Sequence, residues 1–162
     1  MIESTTIREV KESDNVALAT MIRGVFDEHN APKEGTVYTD PTTDNLYNLF
    51  RAPRSVLWVL EIDNTPVGCC GIYPTDGLGD SCVELVKFYI GSSARGKGFG
   101  KMLMEQCIQS ANDLGFKSIY LESMPEFAKA VRIYEKLGFK LLPKALGCSG
   151  HTGCNIWMIK EF

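Results

Sequence analysis

Between residues 88 and 111 the chain reads FYIGSSARGKGFGKMLMEQCIQSA. A β-prone run gives way to a loop carrying Arg95, Lys97 and Lys101, with Gly96, Gly98 and Gly100 at alternate positions, and then to an amphipathic helical stretch. A glycine inside a helix costs about 1 kcal/mol relative to alanine, so three of them at a helix start call for an offsetting gain: a tight turn, close backbone packing, or room for an anion. A helix N-terminus presents unpaired N–H groups and the positive end of the helix dipole. Glycine lets that backbone approach a phosphate with no Cβ in the way, and the three basic side chains reinforce it. The competing reading is a glycine turn that packs strand on helix while the basic residues stay in solvent. Gly91 to Lys97 fits the start of a P-loop, but Gly98 stands where a Ser or Thr hydroxyl would hold Mg²⁺. GxGxG is not the GxGxxG of a dinucleotide fingerprint, and the flanking element order is wrong for one. The spacing that fits is Arg-x-x-Gly-x-Gly, residues 95 to 100.

A second cluster, Cys148-x-x-His151-x-x-Cys154, invites a metal reading. Three ligands are too few for a closed structural zinc, and the spacing is not one of the usual paired forms, so no metal is expected.

The elements that must position these residues follow from periodicity. The 162 residues carry 17 Lys and Arg against 20 Asp and Glu, a net charge of −3. That is length enough for one domain, 1–162, and a poor charge balance for non-specific nucleic-acid binding. No apolar run approaches a membrane span, and the N-terminus lacks the pattern of a signal peptide. The six cysteines fall mostly inside strand- or helix-like stretches, as reduced apolar fillers in a cytoplasmic protein.

The chain opens with a strand (4–10) and a helix to about Glu28, with Val16, Ala19, Ile22, Val25 and Phe26 on one face. A polar loop and the end of a short helix (46–52) come next. Strands follow at 55–62, 67–73 and 82–90, the first of them apolar on both faces and so central. A helix from the glycine loop to Leu114 turns Phe99, Leu103, Cys107, Ala111 and Leu114 inward, and Gly115 stops it. A strand (117–123) precedes a helix in which Phe127, Val131, Tyr134 and Leu137 share a face and which Gly138 ends. Two closing strands follow. The fold class is mixed α/β, with hairpins early and crossover helices late.

With these elements placed, the sequence resembles the GNAT superfamily of N-acetyltransferases. Its pyrophosphate loop is Gln/Arg-x-x-Gly-x-Gly/Ala between a strand and a helix, matched by Arg95 to Gly100. Its second marker, a helix with Ala and Tyr ending in Gly-Phe, is matched by AKAVRIYEKLGF (128–139). The resemblance covers residues 55–142 well and the rest only in layout. It implies a mostly antiparallel sheet flanked by helices, with a splayed parallel strand pair, 82–90 and 117–123, at the cofactor site. Acetyl-CoA would be the co-substrate, with its pantetheine arm along Phe88, Tyr89 and Ile90. Its pyrophosphate would lie on the amides of Arg95, Gly96, Lys97, Gly98, Phe99, Gly100 and Lys101. A backbone N–H near Tyr89 or Ile90 would face the thioester carbonyl, and no metal is required.

The resemblance also distributes the chemistry. Tyr134 matches the helix tyrosine whose hydroxyl approaches the CoA sulfur, and a phenol near pKa 10 can protonate a thiolate. Glu84, eleven residues before Arg95, sits at the offset where a histone-acetyltransferase branch carries its catalytic Glu, and is the candidate base. Its competing reading is a solvent-facing Glu or a partner of Lys87. Phe127 occupies the position where many members have an Asn that hydrogen-bonds the cofactor, so no binding role is carried to it. In this family the hairpin of the last two strands often flanks the acceptor pocket, which draws in His151 and, similarly placed, His29, Tyr38 and Asp40. The expected acceptor is a small-molecule or peptide amine, with no nucleic-acid or membrane partner. A homodimer is common in the family, though nothing in the sequence fixes an interface. The alternative from another class is an acyl-CoA-binding module without turnover.

Overall fold

A computed structural model describes residues 3–162; Met1 and Ile2 lie outside the described residues. Seven strands form one sheet: β1 (Thr5–Glu9), β2 (Val56–Ile62), β3 (Thr65–Tyr73), β4 (Cys82–Ile90), β5 (Ser118–Ser123), β6 (Lys140–Leu142) and β7 (Ile156–Glu161). Their spatial order is β1-β2-β3-β4-β5-β7-β6. Every neighbouring pair is antiparallel except β4 and β5. The helices are α1 (Asn15–Glu28), α2 (Leu46–Leu49), α3 (Phe99–Asp113) and α4 (Ala128–Lys136). The expected mixed, mostly antiparallel sheet with one parallel pair is what forms.

The doubly apolar strand reading of β2 has a direct physical basis. Successive side chains point to opposite faces, and here both faces are covered. Val56 and Leu60 join the core beneath α3, with Leu103, Met104 and Cys107. Leu57 and Val59 join a separate core beneath α1, with Leu18, Ile22 and Phe26. Helices therefore sandwich the sheet.

Three sequence expectations need correction. Val16 is 79% exposed, because it sits in the first turn of α1 outside the stripe set by Leu18, Ile22 and Phe26. Leu114 is 40% exposed, because α3 ends at Asp113, and Met104 is a buried α3 residue that the expected face left out. Phe127 does not share the buried face of α4. It lies in the short 3-10 turn Pro125–Phe127 and packs in the α1-side core. The loop before α2 is also more ordered than its composition suggests. Asp40 caps a 3-10 turn, Pro41–Asp44, by accepting from the Thr42 amide at 2.9 Å.

The start of α1 is fixed by a charged knot. Arg8 of β1 donates to both oxygens of Asp14 at 2.8 and 3.0 Å and to Glu61 of β2 at 2.6 Å. Asp14 also accepts from the Lys11 amide at 2.8 Å. Burial opposes the Asp14 charge, but the Arg8 and Lys11 bonds outweigh it and hold its carboxyl below the usual range. A carboxyl depressed on folding contributes stability above its unfolded pKa and loses it as pH falls through the folded value. We predict that Arg8→Ala costs roughly 1–3 kcal/mol in urea unfolding at pH 7, and that this cost shrinks below about pH 4. A pH-independent cost would contradict the ionic origin.

Candidate active site

The parallel pairing of β4 and β5 is short. Cys82, Val83 and Glu84 pair with Ser118, Ile119 and Tyr120, and the ladder stops there. Beyond that point β4 stays bonded to β3 as far as Ile90, and β5 to β7 as far as Ser123. The facing edges open as a V, and a cleft of about 1030 Å³ runs through it. Its walls include Phe88, Tyr89 and Ile90, the glycine loop, and the Tyr134 face of α4. The end on the α1 side is lined by His29, Thr36, Val37, His151 and Cys154.

The three glycines have two separate reasons. Gly96 and Gly98 have φ of +75° and +83°, backbone that side-chain-bearing residues rarely adopt. Gly100 instead permits close packing: a Cβ there would lie 3.1 Å from Phe88 Cζ and 3.3 Å from Ile90 Cδ1. The first α3 hydrogen bond runs from the Met102 amide to Gly98 O at 3.3 Å, so the amides of Phe99, Gly100 and Lys101 have no intrahelical acceptor. No side chain caps them. Tight turning, close packing and amides able to receive an anion thus coexist in one loop. The Arg95 side chain braces that loop. Its Nε donates to Ile90 O at 2.9 Å, and its guanidinium pairs with Glu28 at the end of α1. Lys97 and Lys101 stay exposed, with Glu3 and Glu105 each at 3.8 Å.

Tyr134 lies on the inward face of α4, 6% exposed, its ring centroid 5.9 Å from those of both Phe88 and Phe139. Burial drives its pKa far above the ordinary phenol value, so it is a neutral proton donor. Glu84 is 3% exposed and is neither solvent-facing nor ion-paired among the described residues. It accepts from the Thr75 hydroxyl at 2.6 Å. Burial lifts its pKa to about 7; the Thr75 bond and Lys87 pull it down, and nearby Glu122 pushes it up. Glu122 accepts from the Tyr120 hydroxyl at 2.6 Å and from Ser149.

The other candidates fall around the α1-side end. His151 Nε2 is 3.0 Å from Asp40 Oδ2, joining the β6–β7 loop to the loop after α1. Burial opposes the Asp40 charge, but His151 and Thr42 bonds hold its pKa down at about 2. His29 lines the cleft with its Nδ1 2.9 Å from Val25 O. Tyr38 is not among the lining residues; it packs edge-on against Phe26, with Lys33 over its ring at 4.8 Å. Phe127, standing where an Asn is common, sits in an aromatic group with Phe26, His29 and Tyr89. Cys154 lines the cleft, and burial pushes its thiol up to about 12. No group of three or more His, Cys, Asp or Glu side chains among the described residues could hold a metal ion.

Two residues escaped the sequence reading. Thr75 looked like a turn residue, and nothing local marks it as the partner of Glu84. Lys87 was weighed only as an ion-pair partner for Glu84. The available signal was a second charge in a strand, CVELVKFYI, otherwise fit for burial.

Comparison with known proteins agrees with the geometry. The acetyltransferase (GNAT) family profile matches residues 22–139. The uncharacterized N-acetyltransferase YjgM of Escherichia coli is 36% identical over 98% of this chain and 96% of its own. Human N-acetyltransferase 8 is 27% identical over 73% of this chain and 55% of its own. Among solved structures, a GNAT-family acetyltransferase from Staphylococcus aureus superposes with a TM-score of 0.85 at 20% identity, covering 98% of this chain and 99% of its own. The YncA acetyltransferase from Salmonella typhimurium, solved with acetyl-CoA, gives 0.75 at 18% identity over 98% and 94% of the two chains. The chain belongs to the GNAT acetyltransferase family. It is an N-acetyltransferase that uses acetyl-CoA as its donor.

An alanine at Gly98 would face about 1–2 kcal/mol of left-handed strain, which the loop can relieve only by moving its amides. We predict that Gly98→Ala raises the acetyl-CoA Kd about 5- to 30-fold by calorimetry. Unchanged affinity would remove the loop conformation from donor binding.

Proposed function

We propose that the chain transfers acetyl from acetyl-CoA to a primary amine by direct attack, with Glu84 as base and Tyr134 as acid. The observation that carries this reading is that one cleft holds both a carboxyl tuned to about 7 and a buried neutral phenol. The unpaired amides at the start of α3 suit the pyrophosphate, with residues 95 to 101 around it. The free edge of β4 at Phe88, Tyr89 and Ile90 suits an extended arm, by the logic of an added strand. A module that binds acyl-CoA without turnover has no need of a tuned carboxyl in the same cleft.

Acetyl-CoA supplies the activated acyl group. Glu84, directly or through one water, takes the proton that an acceptor ammonium must lose before its lone pair can attack. The C–N bond forms as the C–S bond breaks. A backbone N–H near Tyr89 or Ile90 stabilises the carbonyl oxygen meanwhile. Tyr134 gives its proton to the departing sulfur and regains one from the acylated nitrogen, and Glu84 releases the ammonium proton to solvent, so the protein ends unchanged. Burial serves both residues: it keeps Tyr134 protonated until sulfur leaves and places Glu84 where it can accept near neutral pH.

Tyr134→Phe should lower kcat by about tenfold or more while leaving the acetyl-CoA Kd unchanged. Wild-type turnover in that variant would remove Tyr134 from the chemistry. Below about pH 7 Glu84 holds its proton and cannot accept another, so wild-type kcat/KM should rise with pH through that value. Glu84→Gln should lose this inflection, and an identical profile would assign the base elsewhere.

A further inference from the structure

We propose that Lys87 receives a carboxylate of the acceptor, so that the substrate is a small amino acid whose amine faces Glu84. This rests on the acetyl-transfer reading above and names its acceptor class.

Lys87 lies in the middle of β4, lines the cleft, and is 6% exposed. Its φ is +57°, at an irregularity where the β3–β4 register shifts between Cys69 and Gly71. The extra residue resets the alternation of the strand. Leu85 and Phe88 both pack towards α3, whereas Val86 and Tyr89 pack towards α1. A left-handed lysine costs about 1–2 kcal/mol, and such strain gathers at ligand sites.

The surroundings of this ammonium are already occupied. It makes no ion pair or hydrogen bond among the described residues; its electrostatic neighbours are Asp40, Glu84, Cys69 and Cys154. Asp40 is bonded to His151 and to the amide and hydroxyl of Thr42. Glu84 is bonded to Thr75 and titrates near neutrality. The thiols of Cys69 and Cys154 are pushed up to about 12 by burial and remain neutral. Glu122, farther along, is satisfied by Tyr120 and Ser149. Asp40, Glu84 and Glu122 each have donors, whereas the Lys87 ammonium has no partner among the described residues. A buried charge without one is costly, and burial accordingly lowers the Lys87 pKa, with Asp40 and Glu84 opposing. An incoming carboxylate supplies the missing bond.

The spacing points to the chemical class. Two strand residues, Leu85 and Val86, separate Glu84 from Lys87, so their Cα atoms lie at most about 10 Å apart. Both side chains line the same cleft, so one small molecule that carries an amine and a carboxylate can meet both. An acceptor with only positive charge would instead meet Lys87 as a like charge.

The test compares each of the twenty standard amino acids with its carboxamide, which keeps the amine and side chain and removes the negative charge. Thiol release from acetyl-CoA by the full chain is the readout. The best amino acid should exceed its carboxamide at least tenfold in kcat/KM, chiefly through KM. Lys87→Met should raise KM for that amino acid at least tenfold with little change for the carboxamide, and Lys87→Arg should restore part of the difference. If the wild-type protein turns over carboxamides as well as amino acids, the carboxylate role of Lys87 is overturned and acetyl transfer stands. If no amine is acetylated although calorimetry shows acetyl-CoA bound, both readings fall. Should the Lys87 variants not fold, the wild-type comparison decides alone.

Discussion

The structure depends on where one parallel ladder ends. β4 and β5 share three residue pairs and then part at Glu84 and Tyr120. Each strand keeps its outer edge paired, to β3 and to β7, so the sheet survives the opening. The inner edges are left with backbone groups that need partners. An open edge inside a sheet is unfavourable unless water or a ligand completes it, and an extended ligand does so at little cost in conformational change. The same divergence makes room for the glycine loop at one end and the loops that carry His29 and His151 at the other. The irregularity at Lys87 belongs to this arrangement, since a bulge adds twist and bends the strand away from its neighbour.

Burial acts on the cleft's ionisable groups in one common sense. It raises Glu84 and Tyr134 and lowers Lys87, in each case favouring the neutral form. An arriving ammonium finds in Glu84 a group close to a change of state, which makes binding and proton movement responsive to one another. Asp40 is the exception, because His151 and Thr42 hold it ionised. It works as a fixed anchor between two loops and is a poor proton carrier at neutral pH.

Local features were legible in the sequence. The strand, glycine loop and helix at 82–113 and the helix ending in Gly138-Phe139 follow from periodicity and turn chemistry within short windows. The glycine-loop end of the cleft is built almost wholly from them. The α1-side end was not legible, because its contacts join distant positions. Asp40 and His151 lie 111 residues apart, and Ser149 reaches Glu122 across 27. Phe127 misled for a related reason: helical spacing assigned it to the α4 face, but the chain turns before the helix and delivers it to Phe26 and Tyr89. The strained backbone at Lys87 leaves no mark in a single sequence: a second charge in an otherwise apolar strand singles out the lysine but not its conformation.

The central claim is that the open edge of β4 and the amides at the start of α3 together receive the donor. Amide hydrogen exchange with and without CoA tests it most directly. The account predicts slowed exchange confined to Phe88–Ile90 and Arg95–Lys101, with the β1–β2 hairpin unaffected. Unchanged exchange at both segments under saturating CoA, or protection elsewhere in the sheet alone, would contradict it.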